Sequence, residues 1–287
     1  MKRKPTLLFT RRVIQEILRF PRRLTSQMRL MPDFIIIGAQ RCGTTSLYNY
    51  LIKHPSIAPV LKKEIHFFDL NFDKNVAWYR AHFPTSLYKN YVKKIRKQNL
   101  ITGEASPYYL FHPHAPKRVW ETIPEIKLIV LLRNPIDRAY SHYKHEVRIG
   151  VETLSFEAAI EKEKDRLDGE IQKMLKDEEY HSFNHQHYSY LARGIYVDQL
   201  KYWRKFFPKE QILILKSEDF FEDPSTILKQ VTRFLNLSNL TLKKYGKYNY
   251  ATYADMTSKT RKRLTEYFKP HNKKLYEYIG RDFGWNE

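Results

Sequence analysis

The stretch FIIIGAQRCGTTSLYNYL, residues 34–51, predicts a buried strand followed by a tight loop and a helix. Phe34 to Ile37 form a short apolar and β-branched run, which is typical of a parallel strand covered on both faces. Gly38 opens the loop, and the helix is expected to begin near Thr44. Such a junction directs unpaired N–H groups and the positive end of the helix dipole into one small space, where a phosphate binds well.

The loop in this stretch resembles a P-loop but lacks its lysine. The pattern GxxxxGK requires lysine at position 44, where this chain has Thr44. An ATPase or kinase would therefore lack the residue that serves the β- and γ-phosphates. The basic residue is instead Arg41, which suits a single phosphate or a phosphosulfate bridge. We expect the ligand-binding residues of the loop to be Arg41, Cys42, Gly43, Thr44, Thr45 and Ser46.

A second basic segment follows another buried run. The sequence IKLIVLL at 126–132 predicts a strand, and LRNPIDRAYS at 132–141 leads into a helix that Pro135 helps to start. Arg133 follows the strand, at the edge where open α/β sheets bind ligands, and Ser141 lies about two turns into the helix. Arg133 alone would fit a surface ion pair. Together with Ser141 and the loop, it predicts a second phosphate contact.

Strands alternate with helices along the chain. A third strand is predicted at QILIL, residues 211–215. Helices are predicted over Thr44–Lys53, Pro116–Thr122, Phe156–Glu163 and Val197–Phe206, with one or two more over Ser258–Leu275. This alternation predicts the α/β class, with a central, mostly parallel sheet flanked by helices. We expect one large domain over residues 32–287, preceded by a basic arm over residues 1–31.

The loop and the 132–141 segment together resemble the sulfotransferases that use 3'-phosphoadenosine 5'-phosphosulfate (PAPS). The loop is similar to their 5'-phosphosulfate-binding loop, and the second segment is similar to their 3'-phosphate-binding segment. The resemblance implies a P-loop-like three-layer fold and PAPS as the sulfonate donor, with 3'-phosphoadenosine 5'-phosphate (PAP) as its product and no metal. Arg133 and Ser141 would bind the 3'-phosphate.

The segment KEIHFFD, residues 63–69, is similar to a segment of the heparan sulfate sulfotransferases. Glu64, His66 and Asp69 match residue for residue. The resemblance implies that Glu64 is the general base, which takes the acceptor proton during in-line transfer, while Arg41 stabilises charge on the leaving bridge oxygen. His66 is a further catalytic candidate, although a histidine in so apolar a segment also fits a core position.

Three departures from the family pattern concern the acceptor. Arg41 stands where many family loops have lysine, and Ala105 stands where the heparan sulfate 3-O-sulfotransferases have a lysine implicated in catalysis. The paired cysteines and membrane anchor of some Golgi members are absent. We expect sulfonate transfer to a hydroxyl, or an amine, of a carbohydrate or glycoconjugate. The alternatives are a small lipid or phenolic acceptor and, from a different class, a nucleic-acid-binding protein.

The formal charge of +20 favours polyanionic partners in general. Residues 1–30 contribute nine basic residues against the single acidic Glu16. A short basic helix around residues 13–18 would be either a peripheral anchor on anionic lipid or a solvated or core-packed segment. Because Cys42 is the only cysteine and no apolar run could span a bilayer, we predict a cytoplasmic protein. It would be peripheral to a membrane if the arm binds lipid. We predict no nucleic-acid partner.

Two further segments carry unusual composition. Residues 161–190 are highly charged and then rich in His and Tyr, which predicts a surface insertion. The spacing of His181, His185 and His187 resembles part of a zinc site, but the ligand set is incomplete, and an acceptor contact or a solvated loop fits better. Residues 243–248 mix lysines with tyrosines, as nucleic-acid surfaces do. They occupy the region where the sulfotransferase family places a loop over the donor nucleotide, so the resemblance favours that role.

Overall fold

A five-stranded sheet forms the centre of the computed structural model, which describes residues 21–246 and 256–286. The strand order is β2-β3-β1-β4-β5, and every pairing between these strands is parallel. The strands are β1 Phe34–Gly38, β2 Ile57–Ala58, β3 Ile101–Ala105, β4 Lys127–Leu132 and β5 Ile212–Lys216. The α/β class with a parallel central sheet is therefore confirmed.

Helices flank the sheet and fill the connections between its strands. They are α1 Thr44–Leu51, α2 Phe67–Leu70, α3 Val76–Arg80, α4 Ser86–Arg96, α5 Ala115–Thr122, α6 Pro135–Ile149, α7 Phe156–Glu161, α8 Glu163–Leu167, α9 Glu170–Lys176, α10 Phe183–His187, α11 Tyr196–Trp203, α12 Ser217–Glu222, α13 Pro224–Phe234 and α14 Ser258–Ile279. Short 3₁₀ turns occupy Ser26–Met28, Ala192–Gly194 and Lys209–Gln211.

The position of β1 determines where a ligand can bind. All five of its residues are buried, and it pairs with β3 on one side and β4 on the other. The chain leaves β1 towards β2 and β3, then crosses to β4 and β5 on the opposite side. The crevice at the carboxyl ends of β1 and β4 is therefore the point where the strand order reverses, which is where open α/β sheets bind ligands.

The structure adds to the sequence predictions in three places. Strands β2 and β3 were not predicted. The C-terminal segment forms one helix, α14, with Pro270 inside it. Residues 161–190 form α8, α9 and α10 and bury Glu163, Glu170 and His185, so this segment is partly packed into the molecule. The helix expected at residues 13–18 lies outside the described residues.

Candidate active site

A cleft of about 1060 Å³ opens at the carboxyl ends of the central strands. The loop after β1 and Arg133 after β4 form part of its wall, and Pro107 and Tyr108 after β3 form another part. Among the described residues, five arginines line it, namely Arg41, Arg133, Arg148, Arg193 and Arg261. Of the three carboxylates that the same residues contribute, Asp137 is already ion-paired with Arg261 at 2.7 Å. The cleft therefore favours an anionic ligand.

The loop after β1 is shaped to present backbone N–H groups. Arg41 and Gly43 both have positive φ, 70° and 90°. A Cβ on Gly43 would lie 2.8 Å from the Phe221 ring, so both the backbone conformation and the available space require glycine. Helix α1 begins directly after Gly43 with no side-chain N-cap. Thr44, Thr45 and Ser46 of its first turn line the cleft, where the helix dipole favours an anionic ligand.

The two basic segments of the sequence meet in this cleft. The Arg41 Nε donates a hydrogen bond to Ser141 Oγ at 3.1 Å, joining residues that are 100 positions apart. The backbone around Arg133 is held on both sides. Tyr196 OH donates to the Arg133 carbonyl oxygen at 2.8 Å, and the Asn134 N–H donates to Glu218 Oε1 at 2.8 Å.

Nearly all predicted site residues line the cleft. These are Arg41, Gly43, Thr44, Thr45, Ser46, Glu64, His66, Arg133 and Ser141. Cys42 is the exception, because its side chain does not line the cleft. Its side chain is fully buried in the core, where burial raises the pKa of the thiol to about 11. Its carbonyl oxygen accepts a hydrogen bond from Ser217 at 2.8 Å, so the Cys42 side chain packs behind the loop.

The Glu64–Asp69 segment carries an ionised pair at the cleft. Glu64 contacts Lys63, and its Oε2 lies 3.8 Å from His66 Nε2. The other ring nitrogen of His66 is 2.8 Å from the buried Asp69 carboxylate. Burial opposes ionisation of both groups, but His66 and Lys63 lower the pKa of Glu64 to about 2, while Asp69 and Glu64 raise the pKa of His66 to about 10. Glu64 is thus a carboxylate and His66 an imidazolium at neutral pH.

A buried carboxylate supports this segment from behind. Glu104, on β3, accepts hydrogen bonds from the hydroxyls of Tyr79, Tyr109 and Ser106 at 2.7, 3.2 and 2.7 Å. Ser106 Oγ accepts the N–H of His66 at 3.2 Å, and Tyr109 OH accepts the N–H of Phe67 at 2.7 Å. These contacts fix the backbone at the start of α2. They help to maintain the positive φ of Glu64 and His66, 61° and 55°.

The cleft also contains a second carboxylate–histidine group. Glu146 Oε2 is 2.9 Å from His187 Nδ1, and Glu146 Oε1 is 3.2 Å from the buried His142 Nε2. Burial acts to raise the pKa of Glu146, but the two histidines lower it to about 2. Arg193, which is buried, donates to Gln40 of the loop and to the His185 carbonyl oxygen at 2.9 Å. It therefore ties the loop to the 183–194 segment.

Comparisons with known proteins identify the family. A family model described as the sulfotransferase domain matches residues 31–279. The membrane-associated sulfotransferase kil1 of Dictyostelium discoideum is 30% identical over 320 residues, covering 89% of this chain and 66% of the relative. Human heparan sulfate glucosamine 3-O-sulfotransferase 3B1 is 30% identical over 285 residues, covering 91% and 66%. A solved sulfotransferase from Alicyclobacillus acidocaldarius is 31% identical, with a TM-score of 0.68 and coverage of 90% of this chain and 100% of that one.

The chain belongs to the sulfotransferase family. The resemblance inferred from the sequence is confirmed, as are the predicted enzyme class and the P-loop-like fold with a parallel sheet flanked by helices. The chain spans 66% of the length of each of the two curated relatives named above.

Sequence reasoning missed the wall that α6 contributes to the sulfotransferase cleft. His145, Glu146, Arg148 and Ile149 line it, beside His187, for which an acceptor contact was one of two interpretations of the sequence. Helical spacing could have indicated part of this wall, because His145 lies one turn beyond Ser141 on the same face of the helix. The contact between Glu146 of α6 and His187 of α10 joins two separate helices, so no local sequence pattern predicts it.

The remaining sequence predictions have mixed outcomes. The three histidines do not converge: His185 Nδ1 lies 2.7 Å from Tyr108 OH, and His187 contacts Glu146. Within 21–246 and 256–286, no group of three or more His, Cys, Asp or Glu could hold a metal ion. Tyr245 lines the cleft beside Tyr50, but residues 247–248 of the expected donor loop are not described. Among the described helices, none is long and apolar enough to cross a membrane.

Proposed function

We propose that this sulfotransferase moves a sulfonate group from PAPS to a hydroxyl, or an amine, of a carbohydrate or glycoconjugate. The observation that carries the proposal is the hydrogen bond from Arg41 to Ser141, which joins the expected 5'-phosphosulfate loop to the expected 3'-phosphate segment. Glu64 lines the same cleft. We call residues 40–46 and 133–141 the donor half, and residues 64–69 with 145–149 and 186–187 the acceptor half.

The donor half suits a nucleotide with phosphate at both ends of its ribose. Family members generally use PAPS, and the cleft volume is ample for a nucleotide together with part of an acceptor. The uncapped start of α1 would hold the 5'-phosphosulfate with Thr44, Thr45 and Ser46. Arg133 and Ser141 would bind the 3'-phosphate, and Arg41 would stabilise charge on the bridge oxygen as the sulfur–oxygen bond breaks.

The acceptor half supplies the base. The acceptor oxygen would form a bond to sulfur while its proton passes to Glu64, and PAP would leave with the electron pair of the broken bond. With a pKa of about 2, Glu64 is a weak base. It can take the proton only late, once the attacking oxygen has become acidic through bonding to sulfur. An acceptor that displaces Lys63 would also raise the basicity of Glu64.

The carbohydrate acceptor rests on the relatives and on the sequence of the acceptor half. The human relative is a heparan sulfate glucosamine 3-O-sulfotransferase, and Glu64, His66 and Asp69 match the corresponding segment of such enzymes. A cytoplasmic location remains a prediction from the single cysteine, which cell fractionation would test.

The donor is tested by thermal shift. PAP should raise the Tm of the protein markedly, whereas ATP with Mg²⁺ should have little effect, because Thr44 replaces the lysine that holds ATP. Equal stabilisation by the two nucleotides would contradict a PAPS site. The acceptor is tested by incubation with labelled PAPS and a panel of glycans, lipids and phenols. Transfer to lipids or phenols alone would refute the carbohydrate proposal while leaving the reaction type intact.

A further inference from the structure

Helix α4 lies almost entirely outside the core. Of its eleven residues only Val92 is buried, where it packs with Ala58 and Leu100 in a small cluster separate from the main core. By contrast, α1 buries six of its eight residues. The remaining surface of α4 is therefore free to have a role other than packing the domain.

The exposed surface of α4 carries an apolar stripe. Leu87, Tyr91 and Ile95 are 61%, 62% and 61% exposed, and they recur at every fourth position, so they share one side of the helix. Tyr88, 47% exposed, lies beside them. Isolated exposed apolar residues are ordinary on protein surfaces. Four of them on a three-turn helix form a patch of the kind that marks an interaction site.

The stripe continues onto the segment that precedes β1. Ser86 Oγ donates a hydrogen bond to the Met28 carbonyl oxygen at 3.0 Å, which holds that segment against the first turn of α4. Leu24 and Met28 are also exposed there, at 76% and 46%. We define the α4 face as two groups of exposed residues. The apolar group is Leu24, Met28, Leu87, Tyr88, Tyr91 and Ile95, and the basic group is Lys93, Lys94, Arg96 and Lys97.

The charge of the α4 face is uniformly positive. Lys93, Lys94, Arg96 and Lys97 are exposed, and the sequence has no Asp or Glu from residue 74 to residue 103. Lys89 is not counted among the basic residues of the α4 face, because its charge acts on Asp33. Cations in a last helical turn also stabilise the helix dipole. That effect accounts for the basic residues but not for the exposed Leu87, Tyr91 and Ile95.

We propose that the α4 face docks the protein onto the surface of an anionic lipid bilayer. An amphipathic helix with aromatic and aliphatic residues on one side and lysines beside them binds in the plane of the interface, and its lysines attract acidic headgroups. A sulfated polysaccharide would use the same cations but would gain nothing from Leu87 and Ile95. The combination of both kinds of residue favours lipid.

Co-sedimentation of the full chain with vesicles tests the proposal. Phosphatidylcholine vesicles containing phosphatidylserine should bind the protein, and pure phosphatidylcholine vesicles should bind it much less. Leu87→Ser, Tyr91→Ser and Ile95→Ser combined should weaken binding at least about tenfold. Lys93→Gln, Lys94→Gln, Arg96→Gln and Lys97→Gln should each weaken it about fivefold or less.

The matched control is a second exposed apolar pair, on α9. Ile171 and Leu175 are 44% and 56% exposed, but acidic residues surround them in the sequence, including Asp168, Glu170 and Asp177. Ile171→Ser with Leu175→Ser should leave vesicle binding unchanged. Binding lost equally in this control would show that any exposed apolar pair suffices, which would overturn the proposal.

A label at position 91 separates insertion from surface adsorption and remains decisive if the triple variant fails to fold. Cys42 is buried, so Tyr91→Cys can be labelled selectively with an environment-sensitive maleimide. Its emission should shift to shorter wavelength on anionic vesicles, while the same label at Leu175→Cys should not respond. An unresponsive label at position 91 would overturn the proposal.

Two competing explanations, a different membrane anchor and a different ligand of the α4 face, would give distinct results. If the triple serine variant binds vesicles normally while Arg11→Gln, Arg12→Gln and Arg19→Gln together abolish binding, the N-terminal arm is the anchor and the α4 face is not. If heparin binds tightly while vesicles do not bind, the basic residues serve a sulfated polysaccharide. Either result would refute the lipid proposal.

Discussion

The donor and acceptor halves of the cleft are built by different means. The donor half consists of residues placed directly after β1 and β4, and its backbone is held by hydrogen bonds from Tyr196 to the Arg133 carbonyl oxygen and from the Asn134 N–H to Glu218. The acceptor half depends on contacts between carboxylates and histidines, Glu64 with His66 and Glu146 with His187. The difference teaches that backbone placed by the strands shapes one half of the cleft, while contacts between side chains shape the other.

The largest expected effect follows from removing Glu64, the proposed base of the acceptor half. Glu64→Gln keeps the size of the side chain but cannot accept a proton, so turnover should fall about 10²–10⁴-fold. Affinity for PAP, measured by calorimetry, should not change. Glu161→Gln, an exposed residue of α7, is the matched control and should retain full turnover. If Glu64→Gln keeps near-normal turnover and His66→Ala loses it, the assignment of the base to Glu64 is wrong.

The donor half should respond in the opposite way. Arg133→Ala should weaken PAP binding by roughly 2–4 kcal/mol if the guanidinium holds a buried phosphate. Arg41→Ala should lower both PAP affinity and turnover, because one guanidinium would serve binding and the leaving group. Arg281→Ala, which removes an exposed ion pair with Asp219, is the control. Unchanged affinity in Arg133→Ala would leave Arg133 as a surface residue.

A smaller effect is expected from the support behind the acceptor half. Tyr109→Phe removes the hydroxyl that accepts the Phe67 N–H and donates to Glu104. The free energy of unfolding should fall by about 1–3 kcal/mol, because buried polar groups lose a partner. Turnover should fall as well, with PAP affinity unchanged, and urea denaturation and steady-state kinetics measure the two effects. Tyr202→Phe on α11 is the control. Loss of PAP affinity would mean that Glu104 supports the donor half instead.

A pH dependence of stability is also expected. The pKa of His66 is raised to about 10, above its ordinary value near 6.5. The contribution of the protonated His66 to the free energy of unfolding is therefore complete below pH 6.5 and is lost as the pH rises towards 10. Tm should therefore decline less steeply over this range in His66→Gln than in the unmodified protein. Parallel Tm curves would show that the contact between His66 and Asp69 does not stabilise the fold.

The sequence was most informative where burial and chemistry coincide. Phe34 to Ile37 and the run ending at Leu132 are continuously apolar, so both strands and the sites after them could be predicted. Strand β3 was missed because its middle is Gly103-Glu104. A Cβ on Gly103 would lie 2.5 Å from the Phe34 ring, and Glu104 is buried to accept three hydroxyls. Tertiary contacts, not local propensity, select these two residues.

Loop residues posed a different problem. The spacing within 40–46 identifies a ligand-binding loop but does not reveal which side chains face the cleft, so Cys42 was included with Thr44 and Ser46. Only the fold shows that the Cys42 side chain points into the core. The carboxylate–histidine contacts were easier to predict on the Glu64 side, where both partners lie in one short segment, than on the Glu146 side, where His187 comes from a distant helix.

The place of β1 in the middle of the sheet has a consequence for folding. Its neighbours β3 and β4 begin at residues 101 and 127, so the central pairings close long stretches of chain before their contacts form. Closing such loops costs entropy and slows folding of parallel sheets. We therefore expect the loop after β1 to acquire its shape only after both distant strands have docked beside it. A nucleotide bound there should therefore slow unfolding of the whole domain and protect the domain from proteolysis, rather than only reduce the motion of the loop that it contacts.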